Sequence, residues 1–289
     1  MAPSRIQKTW GIVRLLRLSN ALPAAALVLL GGWLAQGMPL PGPVWLAAGA
    51  MVCITAYGYV SNDLADLAED RVNKPDRPLP SGLVAPQTAR WMTIFLAVCG
   101  LFLSLSIGGR LPIGSAGVTL GLLTWYNRRL KGTSGRGNLL IGGLAGLTLS
   151  VGGFAAAGWG GAIPNLLPGT VLVAFITARE LLKTAEDVAG DRAAGKMTAA
   201  IHHGSPWVIR RVALLAGITG LLSLLPVALM GYTWAYLAVM AVGVVGPLVG
   251  GVIYLWRDAQ PQRVSRVLAL LKGSYFAGLL ALLLAAVLE

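Results

Sequence analysis

Apolar stretches of about 20 residues, the length an α-helix needs to cross a bilayer, recur along almost the whole of this 289-residue chain. No other feature limits the fold so strongly, because a lipid interior tolerates only structures that satisfy every backbone hydrogen bond internally. Charged residues make up 12% of the chain and hydrophobic residues 56%, whereas a soluble domain carries about 25% charge. The pattern predicts an all-α membrane protein with nine transmembrane helices, at about 18–36, 44–66, 87–107, 111–127, 138–158, 167–187, 207–230, 233–255 and 265–287. Nothing reads as a soluble domain or a long linker, so residues 1–289 form one integral membrane domain. No cleavable signal peptide is expected. Residues 1–17 are basic and weakly amphipathic, and are expected to lie on the inner membrane surface.

The net charge of +12 would suit a nucleic-acid partner, but its placement excludes that reading. With the nine helices threaded N-terminus inside, 22 of the 23 Lys and Arg residues fall in inner segments, and Arg110 alone lies outside. This is the positive-inside pattern of a membrane protein. Trp10, Trp33, Trp45, Trp159 and Trp234 fall near the predicted interfaces as an aromatic belt. Cys53 and Cys99 read as buried thiols. The Gly142-Gly143 and Gly152-Gly153 pairs read as sites of close helix packing.

Against this background the acidic residues are sharply focused. Nine of the eleven lie in two short segments: Asp63, Asp66, Glu69, Asp70 and Asp76 in one, Glu180, Glu186, Asp187 and Asp191 in the other; Asp258 and Glu289 stand apart. The threading puts both on the cytoplasmic side, although no acidic residue was used to set it. They also align as a repeat. With Asp66 on Asp187, Asp70 falls on Asp191, Arg71 on Arg192, and Asp63 on Thr184. On a continuous helix Asn62, Asp63, Asp66 and Asp70 share one arc, and Asp187 and Asp191 stack likewise. Glu69 and Glu186 fall toward the edges of these arcs.

Carboxylate and amide oxygens are hard ligands suited to Mg²⁺, which commonly bridges a carboxylate or two to substrate phosphates. The histidines, His202 and His203, are adjacent and read as loop residues, so there is no His or Cys set for zinc. Lys74, Arg77, Lys183, Arg192 and Lys196 accompany the carboxylates, and an inner loop adds Arg128, Arg129, Lys131 and Arg136. Topology alone accounts for basic residues in that loop. Carboxylates ringed by cations suit an anion held through metal, and diphosphate as a leaving group fits best.

The run Asn62-Asp63-x-x-Asp66-x-x-x-Asp70-x-x-Asn73-Lys74-Pro75-x-Arg77-Pro78-Leu79-Pro80-Ser81-Gly82 resembles the signature of the UbiA superfamily of intramembrane prenyltransferases. Lys183-x-x-x-Asp187-x-x-Gly190-Asp191, followed by Gly195-Lys196-x-Thr198, resembles that family's second motif. Tyr126, Lys131 and Asn138 resemble its loop between helices four and five, and Asn20 a polar position on helix one facing the pocket. The resemblance spans nearly the whole chain. It implies nine helices around a central cavity, with both acidic motifs at its cytoplasmic mouth. It implies Mg²⁺ held by Asn62, Asp66, Asp70, Asp187 and Asp191, with Asp63 and Lys183 in the catalytic set. Asn20, Asn62, Asn73, Lys74, Arg77, Tyr126, Lys131, Asn138, Arg192 and Lys196 are the implied substrate contacts. The substrates would be an isoprenyl diphosphate, such as geranylgeranyl diphosphate, and a lipophilic acceptor.

The Arg179-Glu-Leu-Leu-Lys183…Glu186-Asp187-Val-x-Gly-Asp191 pattern most resembles the branch that makes digeranylgeranylglyceryl phosphate for ether lipids. Other branches prenylate aromatic acceptors or cyclise the prenyl chain. One departure is Thr184, where many members carry a third aspartate; the second metal site would then rest on Asp187 and Asp191, with Glu186 or water. A divalent-ion or phosphate transporter is the competing class. Against it, both clusters face one side and the outer half has almost no charged residue to continue a path.

Overall fold

A computed structural model describes residues 4–288, the Arg5 side chain excepted; Glu289 lies outside the described residues. Among these residues the structure is helical throughout, with no strand. In chain order the helices are α1 (Arg5–Leu16), α2 (Leu18–Gln36), α3 (Gly42–Ala65), α4 (Leu67–Asn73), α5 (Pro86–Ser106), α6 (Arg110–Trp125), α7 (Arg136–Gly146), α8 (Thr148–Ala162), α9 (Leu166–Glu186), α10 (Val188–Ala193), α11 (Ala199–His203), α12 (Ser205–Met230), α13 (Trp234–Met240), α14 (Gly246–Leu255) and α15 (Pro261–Leu288). Single π turns, Tyr126–Leu130 and Ala241–Val245, follow α6 and α13.

Seven stretches are long and apolar enough to cross a bilayer: α2, α3, α5, the joined α7–α8, α12, the joined α13–α14, and α15. The chain is a multi-pass helical membrane protein. The other two expected spans are helical as well, but differ in kind. Helix α6 has 16 residues before it passes into the π turn, and α9 carries Arg179, Glu180, Lys183 and Glu186 over its last two turns. A buried wall explains the charge on α9, because its Ala174, Phe175, Ala178, Leu181 and Leu182 pack into the main core with α12 and α15.

Glycine sets the closest approaches. A Cβ at Gly152 would meet the Val28 carbonyl oxygen at 1.8 Å, so α8 lies backbone-to-backbone on α2. Gly153 and Gly142 are similarly packed, whereas Gly143 faces open space. Helix α1 starts on a capping box, in which the Gln7 N–H donates to Ser4 Oγ at 3.3 Å and the Ser4 N–H to Gln7 Oε1 at 2.8 Å. Ile6, Trp10 and Val13 stay exposed along α1, as an interfacial lead-in requires. It ends at Arg17, whose φ of 48° is the one left-handed backbone among described non-glycine residues.

Two joints matter most for function. Helix α3 stops at Asp66 (φ −90°, ψ 5°) and restarts as α4; α9 stops at Asp187 (φ −92°, ψ 9°) and restarts as α10. Each joint residue keeps its N–H bonded to the carbonyl four residues back, Asn62 or Lys183. The aspartates aligned in the sequence thus occupy the same local structure, and α4 packs against α10.

Candidate active site

The two joints open onto one cavity of about 650 Å³ that continues along α2, α3, α6, α9 and α15. Asn62, Asp66, Glu69 and Asp70 reach it from the first motif, and Thr184, Asp187 and Asp191 from the second. Asn20, Tyr126, Lys131 and Asn138 line it as well, as do Asn73, Lys74, Arg77 and Lys183.

Asp66 is the hub of the first motif. Its carboxylate accepts hydrogen bonds from Asn62 Nδ2 at 2.8 Å, from Lys131 Nζ, and from Lys196 Nζ at 3.3 Å. Lys131 also donates to Asn62 Oδ1 at 2.8 Å, and Lys196 to Glu69 at 2.5 Å. Burial works to raise the Asp66 pKa, but Lys131 and Lys196 outweigh it and hold the carboxyl below its ordinary range. Asp70 differs. Burial raises its pKa, although Arg77 Nη1 lies 2.6 Å away and opposes the rise.

In the second motif Lys74 Nζ crosses from the first to reach Asp187 at 2.8 Å. Asp191 is only 7% exposed, and its carboxylate makes no hydrogen bond or ion pair with the described residues. Burial and then the Asp187 charge raise its pKa, against Lys196 and Lys131. Asn73 ties the motifs together through its amide. Gly190 leaves room for it, since a Cβ there would meet Asn73 Nδ2 at 2.1 Å.

Several expected site residues stand elsewhere. Asp63, 2% exposed, does not line the cavity; it accepts hydrogen bonds from Arg17 and from Arg77 at 3.4 Å. The expected arc assumed an unbroken helix, and the joint at Asp66 redirects α4. Glu69, placed at the edge of that arc, is instead buried on the cavity wall. Arg192 is exposed, like its repeat partner Arg71, and neither lines the cavity. Lys196 acts through Asp66 and Glu69. Glu186 turns toward Ser265 and, at 3.6 Å, Lys74. Thr184 lines the cavity but spends its hydroxyl on the Leu181 carbonyl at 2.7 Å. His202 and His203 are exposed, with His203 stacked on Trp207. Glu180, Arg17 and Tyr59 also line the cavity; Glu180 belongs to the second acidic segment but has no expected site role, and the sequence does not single out Arg17 and Tyr59. For Tyr59 and Glu180 the signal was a polar or charged residue inside a predicted span.

Among the described residues no three carboxylates, histidines or cysteines converge into a ready-made metal cage. The carboxylates are instead spread over both motifs, with one of them buried and unmatched. That donor set fits a divalent cation shared with a substrate diphosphate.

A helical membrane protein with paired acidic joints over a lipid-sized cavity belongs to a narrow class, the intramembrane enzymes acting on anionic lipids. Residues 24–280 match the UbiA prenyltransferase family. The chain is 34% identical over 277 residues, 96% of each chain, to digeranylgeranylglyceryl phosphate synthase of Natronomonas pharaonis. A solved digeranylgeranylglyceryl phosphate synthase superposes with a TM-score of 0.74 at 26% identity, covering 98% of this chain and 99% of that one. A UbiA homologue of Archaeoglobus fulgidus bound to GPP and Mg²⁺ superposes with a TM-score of 0.62 at 15% identity, covering 93% and 99%. The chain belongs to the UbiA prenyltransferase family and is a membrane prenyltransferase.

Proposed function

We propose that the protein transfers a geranylgeranyl group from its diphosphate to geranylgeranylglyceryl phosphate, forming a membrane ether lipid. The cavity is the observation that carries this: an apolar chamber whose mouth holds two acidic joints with Lys74, Arg77 and Lys131. The N. pharaonis relative, aligned over nearly its full length, bears the name of that activity.

Asn62, Asp66, Asp70, Asp187 and Asp191 would hold Mg²⁺. When bound, the cation offsets the negative charge of the diphosphate and eases its departure. Lys74, Arg77, Lys131 and Lys196 hold the carboxylates in place and supply positive charge where the leaving diphosphate gathers electrons. The allylic C–O bond breaks with its electron pair going to diphosphate, and the acceptor hydroxyl oxygen bonds to that carbon, releasing its proton. The apolar walls keep water from the cationic carbon. Asp63 is a positioning residue that fixes Arg17 and Arg77. We place the N-terminus and both acidic joints on the cytoplasmic side, from the distribution of basic residues, and count α6 and α9 as spans eight and nine.

Purified protein incubated with Mg²⁺, labelled geranylgeranyl diphosphate and an acceptor panel tests this. The expected product is digeranylgeranylglyceryl phosphate, identified by mass. Prenylation of an aromatic acceptor alone, or acceptor-free cyclisation, would reject it.

A further inference from the structure

Away from the acidic joints the cavity holds one further carboxylate. Asp66, Glu69, Asp70, Asp187 and Asp191 line it at the joints, and among the described residues Glu180 is the only other acidic residue that does. Glu180 lies seven residues before Asp187 on α9, and Tyr59, on the cavity wall of α3, seven before Asp66. Both therefore sit about 10 Å along their helices from the joints, at one level inside the apolar chamber. A charge at such depth is costly unless it is matched, and it commonly marks a working group.

The match at Glu180 is uneven. Lys183 Nζ donates to Glu180 Oε1 at 2.7 Å and to Oε2 at 2.9 Å, while Arg179 Nη1 donates to Oε1 at 3.2 Å. Oε1 thus has two donors and Oε2 has one among the described residues, which leaves Oε2 room to accept another. Glu180 and Lys183 line the cavity, whereas Arg179 braces the carboxylate from outside its lining. The pair is also open to a substrate, with 13% of the Glu180 side chain and 35% of the Lys183 side chain accessible.

We propose that Glu180 Oε2 is the base that takes the proton of the acceptor hydroxyl, with Lys183 and Arg179 orienting the carboxylate. The role rests on the prenyl-transfer function above and deepens it. The allylic C–O bond breaks and its electron pair leaves with diphosphate. A lone pair of the acceptor oxygen makes the new C–O bond, the O–H pair stays on that oxygen, and the proton passes to Oε2. Glu180 yields the proton to water once the products leave. An oxygen bonding to a cationic carbon becomes strongly acidic, so even a carboxylate stabilised by two cations is basic enough. The joint carboxylates suit the task less, because they are given to Mg²⁺ and stand beside the diphosphate. The prenyl tail has to run into the apolar chamber, which turns the allylic carbon away from the joints and toward the level of Glu180.

The test compares geranylgeranylglyceryl phosphate with the same lipid carrying a thiol in place of its hydroxyl, in wild type, Glu180→Gln and Glu180→Asp. A thiol gives up its proton far more readily than an alcohol, so its attack depends much less on a base. Single-turnover transfer and equilibrium binding of geranylgeranyl diphosphate with Mg²⁺ are measured separately. Glu180→Gln should lose about 100-fold or more in transfer to the alcohol, less than about tenfold in transfer to the thiol, and about twofold at most in donor affinity. Glu180→Asp keeps the charge but withdraws the oxygen by one carbon, and it carries the test if Glu180→Gln fails to fold. It should lose about tenfold with the alcohol and about twofold with the thiol. Equal losses with alcohol and thiol in either folded variant, or donor affinity falling in step with transfer, make Glu180 a structural residue and overturn the proposal. Alcohol transfer by Glu180→Gln within about threefold of wild type assigns the proton to the departing diphosphate and overturns it while leaving prenyl transfer intact. Wild-type protein that binds the donor yet forms no ether rejects the transfer reaction, and the base with it.

Discussion

Asn73 and Gly190 join the two acidic segments: Asn73 Oδ1 accepts from the Gly190 N–H at 3.0 Å, and Asn73 Nδ2 donates to the Asp187 carbonyl at 3.3 Å. One side chain therefore sets the distance between carboxylates that arise more than a hundred positions apart. It lines the cavity where a substrate contact was expected, and its amide is also committed to the partner motif.

Removing this link should loosen the site and cost stability. Asn73→Ala deletes two hydrogen bonds, a loss of about 1–3 kcal/mol. Gly190→Ala forces Asn73 away by placing a methyl where the amide lies. Both should lower the unfolding temperature in detergent by a few degrees and turnover by at least tenfold. Adding Gly190→Ala to Asn73→Ala should do little further harm, and fully additive losses in the double variant would contradict the link.

Glu69 should matter more than its sequence position implies. It accepts from Lys196, which in turn reaches Asp66, so Glu69→Gln weakens the hold on a cation that braces the hub carboxylate. Turnover should drop about tenfold with folding intact. Turnover at the wild-type rate would show that Lys196 needs no such anchor.

Much of this site was legible because its chemistry breaks the background. Carboxylates in an apolar chain stand out, and the repeat register matching Asp66 to Asp187 reappears as two identical backbone joints. What the pattern did not reveal follows from those joints. An ideal helix through residue 70 puts Asp63 in the same arc as Asp66, whereas on α3 itself Asp63 turns to Arg17 and Arg77, and the break at Asp66 redirects α4 so that Glu69 comes to the cavity wall. Arg17, Tyr59 and Glu180 were hidden for another reason: they come from the α1–α2 joint, α3 and α9, and share no motif. Helix α6, too short by itself, passes into the π turn that begins at Tyr126.

Orientation follows from the basic residues and is directly testable. In a background lacking Cys53 and Cys99, single cysteines at exposed positions of the 75–85 loop should react only when the cytoplasmic face is accessible. Labelling from outside would invert the topology.

Thr184 tests how the second motif holds metal. It lines the cavity one turn before Asp187, yet its hydroxyl is bonded to the Leu181 carbonyl. Thr184→Asp should lower the Mg²⁺ concentration giving half-maximal rate. An unchanged or higher Mg²⁺ requirement in the folded variant would show that residue 184 contributes packing alone.

The two joints are expected to act as one site, and single-turnover transfer from labelled geranylgeranyl diphosphate measures it. Asp66→Ala and Asp187→Ala should each abolish transfer while the protein still folds and inserts, and the double variant should be no worse than either single one. Asp70→Ala and Asp191→Ala should behave in the same way. Near-normal transfer by either Asp66→Ala or Asp187→Ala would contradict a shared site.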